Sequence, residues 1–289
     1  MKFRLIFTLI LGLSISVLSC NNKDNSSDLN IVFLHHSTGE IIWNGAPPNI
    51  IQRVAKKISD RFENVISKNA MLPSLISKHN KENSTHYSIK AIEFPKIKPY
   101  GWNNNPYDYY NIWVKHAGKE PYLKEPTLEI LTEEYQVIIF KHCFPVSNIQ
   151  ADKDSSDINS NYRSLTNYQL QYLALREKMN SFPETKFILF TGAAQVRSNI
   201  KVDEAERAKE FFNWVINEWD IQNDNVYVWD LYELETEGGL YLKDDYAASS
   251  HDSHPNEIFA QRVTKLLFNR IVDIIENRGE YTSLTGESK

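Results

Sequence analysis

The chain has 289 residues, of which 42% are hydrophobic and 24% are charged. That length and apolar content favour one domain with a large core over two small domains. The formal net charge is −5 at pH 7, and no block of basic residues occurs along the chain, which argues against nucleic acid as a partner. No internal repeat is found along the chain.

The first twenty residues have the layout of an export signal. Lys2 and Arg4 precede an apolar run over residues 5–18 that is too short to span a bilayer comfortably. A hydrophobic residue and a small residue then stand directly before Cys20, a pattern that resembles the lipobox of bacterial lipoproteins. The resemblance implies that residues 1–19 are a cleaved signal peptide and that Cys20 becomes the lipidated first residue of the mature chain.

Lipid attachment would anchor the protein to a membrane of the bacterial cell envelope. The polar residues 20–29 would then act as a tether; an ordinary signal peptide with an incidental cysteine is the alternative. The loss of Lys2 and Arg4 would change the formal charge from −5 to −7. Because the sequence contains only two cysteines, Cys143 would have no disulfide partner, and the fold must hold without a disulfide.

Downstream of the tether, apolar patterns typical of strands alternate with patterns typical of helices. Short runs rich in β-branched residues predict buried strands over residues 29–34, 87–94, 135–140, 186–190 and 225–231. Apolar residues at intervals of three or four predict helices over residues 48–66, 165–179 and 205–219, and a last helix that begins at Pro255. This alternation predicts an α/β fold, a three-layer doubly wound arrangement with a mostly parallel five-stranded sheet. We expect the domain over residues 30–280 and a C-terminal tail over residues 281–289.

A long passage over residues 95–119 shows little periodicity and is rich in asparagine and aromatic residues. Irregular connections of this length are usually functional or flexible. Its aromatic residues offer flat faces for sugar rings or, equally, side chains for the core: Trp102, Tyr107, Tyr109, Tyr110 and Trp113. We expect a lid over a pocket, because the run from Asn103 to Pro106 argues against a buried helix or strand.

Polar and ionisable side chains follow several of the predicted strands. In open parallel sheets, ligands bind beyond the carboxyl ends of the strands. The residues in question are His35, His36 and Ser37 after the first strand, Lys141, His142 and Cys143 after the third, Thr191 and Gly192 after the fourth, and His251, Asp252 and His254 before the last helix. The sequence therefore predicts a functional site at this edge of the sheet.

Ser37 and His254 satisfy the first requirements of nucleophilic catalysis. A serine becomes a nucleophile when a base takes its proton, a third group orients the base, and donors await the oxyanion. Ser37 lies in a loop with Gly39, which lets backbone N–H groups turn inward, and His254 directly precedes Pro255. Doubly wound topology can bring the two segments together. For Ser37 taken alone, a serine that caps a turn is the alternative.

Two sequence blocks resemble those of the SGNH (GDSL-like) hydrolases: His36-Ser37-Thr38-Gly39 and Asp252-Ser253-His254-Pro255-Asn256. That family places its catalytic serine just after the first strand and its catalytic histidine just before the last helix. The resemblance runs through short motifs over residues 30–276 and implies the SGNH-hydrolase or flavodoxin-like form of the α/β fold. It also implies ester substrates, no cofactor, Ser37 as the nucleophile, and His254 as general base and then general acid.

The sequence departs from the family pattern at two positions. His36 stands where the GDSL motif has an aspartate, and His251 stands three residues before His254, where the family has its acid. We expect Asp252 to replace that acid as the group that orients His254, with Asp245 from the preceding loop as the alternative. A Ser-His dyad, an inactive relative, and a helix-capping role for Asp252 also stay open.

In this family the oxyanion donors are the backbone of the serine, a glycine and an asparagine. The resemblance implies the backbone N–H of Ser37, Gly101 after the second strand, and Asn148 after the third. Asn148 stands later than the family's Gly-x-Asn-Asp block would place it, and Lys141 and His142 are rivals for its role. Turn formation next to proline is the alternative for Gly101 and Asn148.

The resulting interpretation is a lipid-anchored serine hydrolase of ester bonds that needs no cofactor and no metal. The expected substrate is a small-molecule or glycan ester, such as an acylated carbohydrate. This expectation rests on the range of substrates of the family and on the predicted export of the protein. One alternative is a glycan-binding or structural lipoprotein that has kept the fold and lost its acid. A second is a metallohydrolase, in which His35, His36, His142 or His251 would converge on one ion.

Overall fold

The computed structural model of the protein describes residues 28–47, 70–153 and 155–289. Its centre is a five-stranded sheet with the strand order β2-β1-β3-β4-β5, in which all four pairings are parallel. The strands are β1 (Leu29–His35), β2 (Tyr87–Glu93), β3 (Val137–Phe140), β4 (Lys186–Phe190) and β5 (Val226–Trp229). The predicted doubly wound α/β fold is confirmed.

The central strands are apolar on both faces. Every residue of β3 is buried, and so are the last five residues of β1. Side chains alternate between the faces, so that Val32 and Leu34 belong to one apolar cluster while Ile31 and Phe33 belong to the other. Continuous apolar strands of this kind are typical of parallel sheets covered on both sides, which is why the sequence pattern predicts them well.

Helices cover both faces of the sheet. They are α1 (Ser37–Asn44), α2 (Met71–Asn83), α3 (Pro106–Tyr110), α4 (Leu128–Glu134), α5 (Leu165–Asn180), α6 (Val202–Trp214), α7 (Leu231–Thr236) and α8 (Glu257–Asn277). The apolar side chains of α3, α4, α5 and α6 pack on the face of Val32. Those of α1, α2 and α8 pack on the face of Ile31. The sheet therefore separates two apolar clusters in a three-layer domain.

The passage over residues 95–119 contains a buried helix, so the expectation that none lies there is wrong. α3 begins at Pro106, and Asn105 caps it: Asn105 Oδ1 accepts from the backbone N–H of Tyr107 at 3.0 Å. The Asp108 carboxylate accepts in return from the backbone N–H of Asn105 at 3.1 Å. The asparagine and proline that argued against a helix are therefore its start signal.

The last helix begins later than predicted. α8 begins at Glu257, and its cap is Asn256, whose Oδ1 accepts from the backbone N–H of Phe259 at 3.0 Å. The segment expected to open this helix forms a short strand, β7 (Asp252–Pro255), which pairs antiparallel with β6 (Ala247–Ser249). Asparagine is a preferred helix cap, so the helix starts after it rather than at the proline.

Several sequence-based predictions lie outside the described residues: the signal peptide over residues 1–19, the lipidated Cys20, most of the tether, and the helix over residues 48–66. Among the helices of the described ranges, none combines the length and the apolar character needed to cross a membrane. The sequence patterns missed α2, which buries only Leu72 and Ile76 along its thirteen residues.

The last residues of the chain pack against the sheet. The backbone N–H of Asp230, directly after β5, donates to Leu284 O at 2.8 Å. Trp229 Nε1 donates to Thr285 O at 3.0 Å. Residues of the expected C-terminal tail, 281–289, therefore lie against the end of β5, an edge strand of the sheet.

Candidate active site

The candidate residues lie at the carboxyl edge of the sheet. In the order β2-β1-β3-β4-β5, the strand order reverses between β1 and β3, and open α/β sheets bind ligands at such a point. Ser37 directly follows β1, and the segment from Lys141 to Phe144 directly follows β3. The loops after two neighbouring strands therefore flank this point.

Ser37 is the first residue of α1, and its side chain is half-buried. The turn from β1 into α1 is tight, and a Cβ on Gly39 would lie only 2.4 Å from His35 Cβ, so a glycine is required there. The backbone N–H of Gly39 donates to His36 O at 2.7 Å. The N–H groups of Ser37 and Thr38 have no acceptor among the described residues, which leaves them at the open end of the helix.

Asp252 orients His254 through two hydrogen bonds. Its Oδ1 accepts from His254 Nδ1 at 2.6 Å and from the His254 backbone N–H at 3.0 Å. Because Nδ1 carries a proton in this bond, Nε2 is the nitrogen that can accept one from a hydroxyl. Ser253, which lies between Asp252 and His254, ties their strand to the loop after β4, since its Oγ accepts from the backbone N–H of Val196 at 3.1 Å. Asp245, the alternative acid, is exposed, and its carbonyl oxygen accepts from an asparagine side chain.

The elements that carry Ser37 and His254 pack against each other. α1 packs against β7, so the helix that begins at Ser37 contacts the strand that holds His254. No hydrogen bond joins their side chains within the described part of the chain. Catalytic hydrogen bonds are often long in the absence of substrate, so the packing of α1 against β7 is compatible with a nucleophile and its base. The Phe144 ring lies edge-on to the His254 ring, with the ring centroids 4.9 Å apart.

The two predicted oxyanion residues are less well placed than Asp252. Gly101 lies in an open part of the loop after β2, where a Cβ would meet no atom within 4 Å. The amide of Asn148 is already engaged: Nδ2 donates to Glu204 at 3.2 Å, and Oδ1 accepts from Gln195 at 3.0 Å. Asn148 would have to exchange these partners to reach an oxyanion.

The four histidines of the metal hypothesis have separate surroundings. Their ring contacts include Phe33 for His35, the Pro95 carbonyl for His36, Tyr109 and Tyr172 for His142, and the Ser198 hydroxyl for His251. Across residues 28–47, 70–153 and 155–289, no three His, Cys, Asp or Glu side chains are grouped so that they could hold a metal ion. The geometry of these residues gives the metallohydrolase alternative no support.

The burial of two ionisable residues at this edge was not predicted from the sequence. The Lys141 side chain is 1% exposed, and its Nζ lies 3.8 Å from Cys143 Sγ. Glu235 of α7 is fully buried, and its Oε2 accepts from the backbone N–H of Ala194 at 2.6 Å. Burial raises the pKa of Glu235 to about 8, although the Ala194 N–H and the charge of Lys141 oppose the rise. The position of Lys141 after a central strand is a sequence signal, whereas no pattern marks Glu235.

Asn104 anchors the loop after β2 to the loop after β3. Its Oδ1 accepts from the backbone N–H of Cys143 at 3.2 Å. Trp102 therefore stands on a fixed loop, and its side chain is 63% exposed. Tyr109 and Trp113 of the same aromatic passage are fully buried. The passage supplies side chains to the core and one exposed indole ring near the carboxyl edge.

Comparisons with known proteins find similarity in structure but none in sequence. No protein-family model matches the chain, and no curated protein matches it in sequence. Among the solved structures that match is a carbohydrate esterase whose active site displays divergent catalytic and non-catalytic binding functions. The two chains are 13% identical, with a TM-score of 0.37 over 87% of this chain and 69% of the esterase chain. At this TM-score the similarity carries no conclusion about the site or its substrate.

Proposed function

We propose that this protein is a serine hydrolase of ester bonds. Ser37 is the nucleophile, His254 is the general base and then the general acid, and Asp252 orients the imidazole. The observation that carries the proposal is the 2.6 Å hydrogen bond between Asp252 Oδ1 and His254 Nδ1, on a strand that packs against the helix beginning at Ser37. A carboxylate in this position holds the ring in the tautomer that accepts a proton at Nε2.

The reaction follows from these positions. His254 Nε2 takes the proton of Ser37 Oγ as that oxygen attacks the ester carbonyl, and the tetrahedral intermediate expels the alcohol, which receives the proton from His254. Water then attacks the acyl-enzyme, with His254 again as base, and releases the acid and the free serine. Asp252 stabilises the imidazolium form of His254 in both steps.

The first turn of α1 is the proposed oxyanion site. The backbone N–H groups of Ser37 and Thr38 stand at the positive end of the helix macrodipole, where negative charge is stabilised. Gly101 and Asn148 remain proposed as further donors, and Asn148 requires the exchange of partners described above. An Asn148→Ala variant tests this role, because the loss of an oxyanion donor lowers kcat by about 10²-fold.

As the substrate, we propose an acylated carbohydrate of the cell envelope. The exposed Trp102 ring on the loop after β2 supports it, since a flat apolar ring suits the apolar face of a sugar. We also propose export and lipid anchoring through Cys20, from the pattern of the first twenty residues. Cells that express the full chain and a Cys20→Ser variant, grown with labelled palmitate, test the anchor: only the first should carry the label and stay in the membrane fraction.

The primary experiment is hydrolysis of short-chain aryl esters and acetylated oligosaccharides by the protein from Asn21 onward. Ser37→Ala is expected to abolish turnover, while Ser198→Ala, an exposed serine of the same region, serves as the matched control. Retention of activity in a chelator supports the serine mechanism. Turnover that a chelator removes and Ser37→Ala leaves unchanged indicates a metallohydrolase, and sugar binding without turnover indicates the inactive binding protein.

A further inference from the structure

The strand that carries the candidate base contains a bulge. β7 pairs with β6 at two points, Ala247 with Pro255 and Ser249 with Asp252. Two residues of β7 therefore lie between these pairs, opposite a single residue of β6. A bulge leaves one residue unpaired in the ladder and bends the strand, and bulges recur beside active sites, where they redirect a side chain. A two-stranded hairpin is also only marginally stable by itself. The pairing with β6 is therefore a weak determinant of where His254 points.

Asp252 and His254 receive limited support from packing, because their side chains are 51% and 33% exposed. Asp252 Oδ1 accepts from the His254 ring at 2.6 Å and from the His254 backbone N–H at 3.0 Å. The second of these bonds requires a turn in the backbone, since an aspartate side chain here reaches its own chain two residues on. The orientation of the imidazole therefore depends on the bent backbone of the bulge.

Ser253 holds this bulge from its buried side. Side chains alternate along a strand, and the Ser253 side chain is 3% exposed, whereas those of its two neighbours face solvent. Its Oγ accepts from the backbone N–H of Val196 and from Asn199 Nδ2, each at 3.1 Å. Asn199 Nδ2 also donates to His251 O at 3.2 Å, one residue before β7. Both the hydroxyl and the start of the strand are therefore fastened to the segment after β4.

The segment that holds Ser253 belongs to the core. Residues 191–196, which follow β4, are all buried. The Val196 side chain is 1% exposed and packs in the larger apolar cluster. The backbone N–H of Ala194 donates to Glu235 Oε2 at 2.6 Å, which ties the same segment to α7. A continuous set of contacts therefore runs from the core through Val196 and Ser253 to the bulge.

We propose that Ser253 is a positioning residue of the ester hydrolase, whose hydroxyl holds the bulge in the conformation in which Asp252 orients His254. The inference rests on the proposed function. Ser253 acts through the backbone of β7 and touches no reacting atom. Without its hydroxyl, the buried N–H of Val196 loses its acceptor, and the bulge can adopt conformations in which Asp252 does not reach the imidazole. The orientation of the base matters when the proton moves, so the loss falls on kcat rather than on KM.

The first measurement is kcat and KM on an aryl acetate, with denaturant unfolding, for the wild type and two variants. Ser253→Ala is expected to lower kcat by about 30-fold while KM changes by less than about twofold, since a misplacement of about 1 Å can cost about 10²-fold. The matched control is Asn225→Ala at the amino end of β5. Asn225 Nδ2 donates to Met179 O at 3.1 Å and to Phe182 O and Thr185 O at 2.8 Å. This control should lower stability and keep the wild-type kcat.

The second measurement separates positioning from general support of the fold. Asp252→Asn and the double variant Asp252→Asn/Ser253→Ala complete a double-mutant cycle. If Ser253 acts through the bond between Asp252 and His254, removing its hydroxyl costs little more kcat once the carboxylate is gone. A serine that supports only the fold gives losses of kcat that multiply, because independent effects are additive in free energy.

Each outcome decides the inference. If Ser253→Ala does not fold, Asn199→Ala decides alone, because Asn199 is exposed and supplies one of the two bonds to the same oxygen. Its kcat should then fall by about threefold at constant KM. Wild-type kcat in the folded variant, or losses that multiply in the cycle, overturns the role of Ser253 while the serine hydrolase stands. Absence of Ser37-dependent hydrolysis in the wild type overturns the proposed function and this role together.

Discussion

Buried charges have several hydrogen-bond partners in one region of the molecule and few in another. In the first region, the β5 flank, α8 meets residues 278–289. Arg270 donates there to Val228 O and to Thr282 Oγ1, each at 3.2 Å. Asp273 accepts from the Thr282 backbone N–H at 2.7 Å and from Thr282 Oγ1 at 2.6 Å. Each charge is held by several hydrogen bonds, which is how buried charges become tolerable.

At the carboxyl edge the buried ionisable groups lack such partners. Lys141 has only a thiol, and Glu235 Oε1 and both ring nitrogens of His142 have no hydrogen-bond partner in the described ranges. A buried polar group without a partner costs stability. The comparison teaches that the β5 flank is arranged for stability, whereas the carboxyl edge keeps under-paired groups that suit chemistry.

The largest expected effect is on turnover at the carboxyl edge. His254→Ala removes the base, and we expect kcat to fall by about 10⁴-fold, with the free energy of unfolding changed by less than about 1 kcal/mol. Ester hydrolysis and denaturant unfolding measure the two quantities. His251→Ala, an exposed histidine next to the same strand, is the control. Equal activity in both variants would contradict the assignment.

The second prediction concerns the β5 flank, where we expect a substitution to lower stability and leave turnover unchanged. Asp273→Asn breaks a buried ion pair with Arg270 (4.0 Å) and weakens the bonds from Thr282. We expect the free energy of unfolding to fall by about 3 kcal/mol. The kcat of the folded fraction should remain that of the wild type. A lower kcat with an unchanged free energy of unfolding would contradict the distinction between the two regions.

The third prediction uses His142, which packs between Tyr109 and Tyr172. Burial, with the nearby charge of Lys141, lowers the pKa of His142 to about 3 from its ordinary 6.5. The unfolded chain therefore binds a proton between pH 6.5 and pH 3 that the folded chain does not, so stability is lost as pH falls through this window. His142→Phe should remove this loss, a gain of about 2 kcal/mol at about pH 5. Unfolding curves at about pH 7 and about pH 5 measure it; an unchanged difference between them would contradict it.

The smallest expected effect is on substrate affinity. Trp102→Ala should raise KM for an acetylated oligosaccharide by about tenfold, the loss of about 1.4 kcal/mol of binding, and leave an aryl acetate unaffected. Leu123→Ala is the control, because Leu123 is an exposed apolar residue of another loop. Equal KM values in both variants would remove the support that Trp102 lends to a carbohydrate substrate.

The fold is accessible from the sequence because the strands are continuous apolar runs. The strand predicted over residues 186–190 has the observed bounds of β4. Helix starts are harder to predict, since they depend on single capping residues: Asn105 starts a helix where none is expected, and Asn256 starts one later than Pro255 suggests. The same polar side chain can stand in a loop or cap a helix. The backbone conformation around it determines which of the two occurs.

The candidate site is partly accessible for a related reason. The rule that ligands bind beyond the carboxyl ends of parallel strands selects the neighbourhoods of Ser37 and His254 from the pattern alone. The spacing of Asp252 before His254 also suggests their pairing, which the hydrogen bond shows. The burial of Lys141 and Glu235 could not be predicted, because these residues lie in segments far apart in the chain and belong to no sequence motif.

The contact between residues 281–289 and β5 bears on how the protein avoids self-association. An edge strand offers unpaired backbone groups to any other strand, and natural proteins cover such edges. Here the backbone N–H of Asp230 is occupied by Leu284 O, and the indole of Trp229 is tied to the same segment. We expect a domain cut at residue 280 to expose the end of β5 to a second copy and therefore to aggregate more readily.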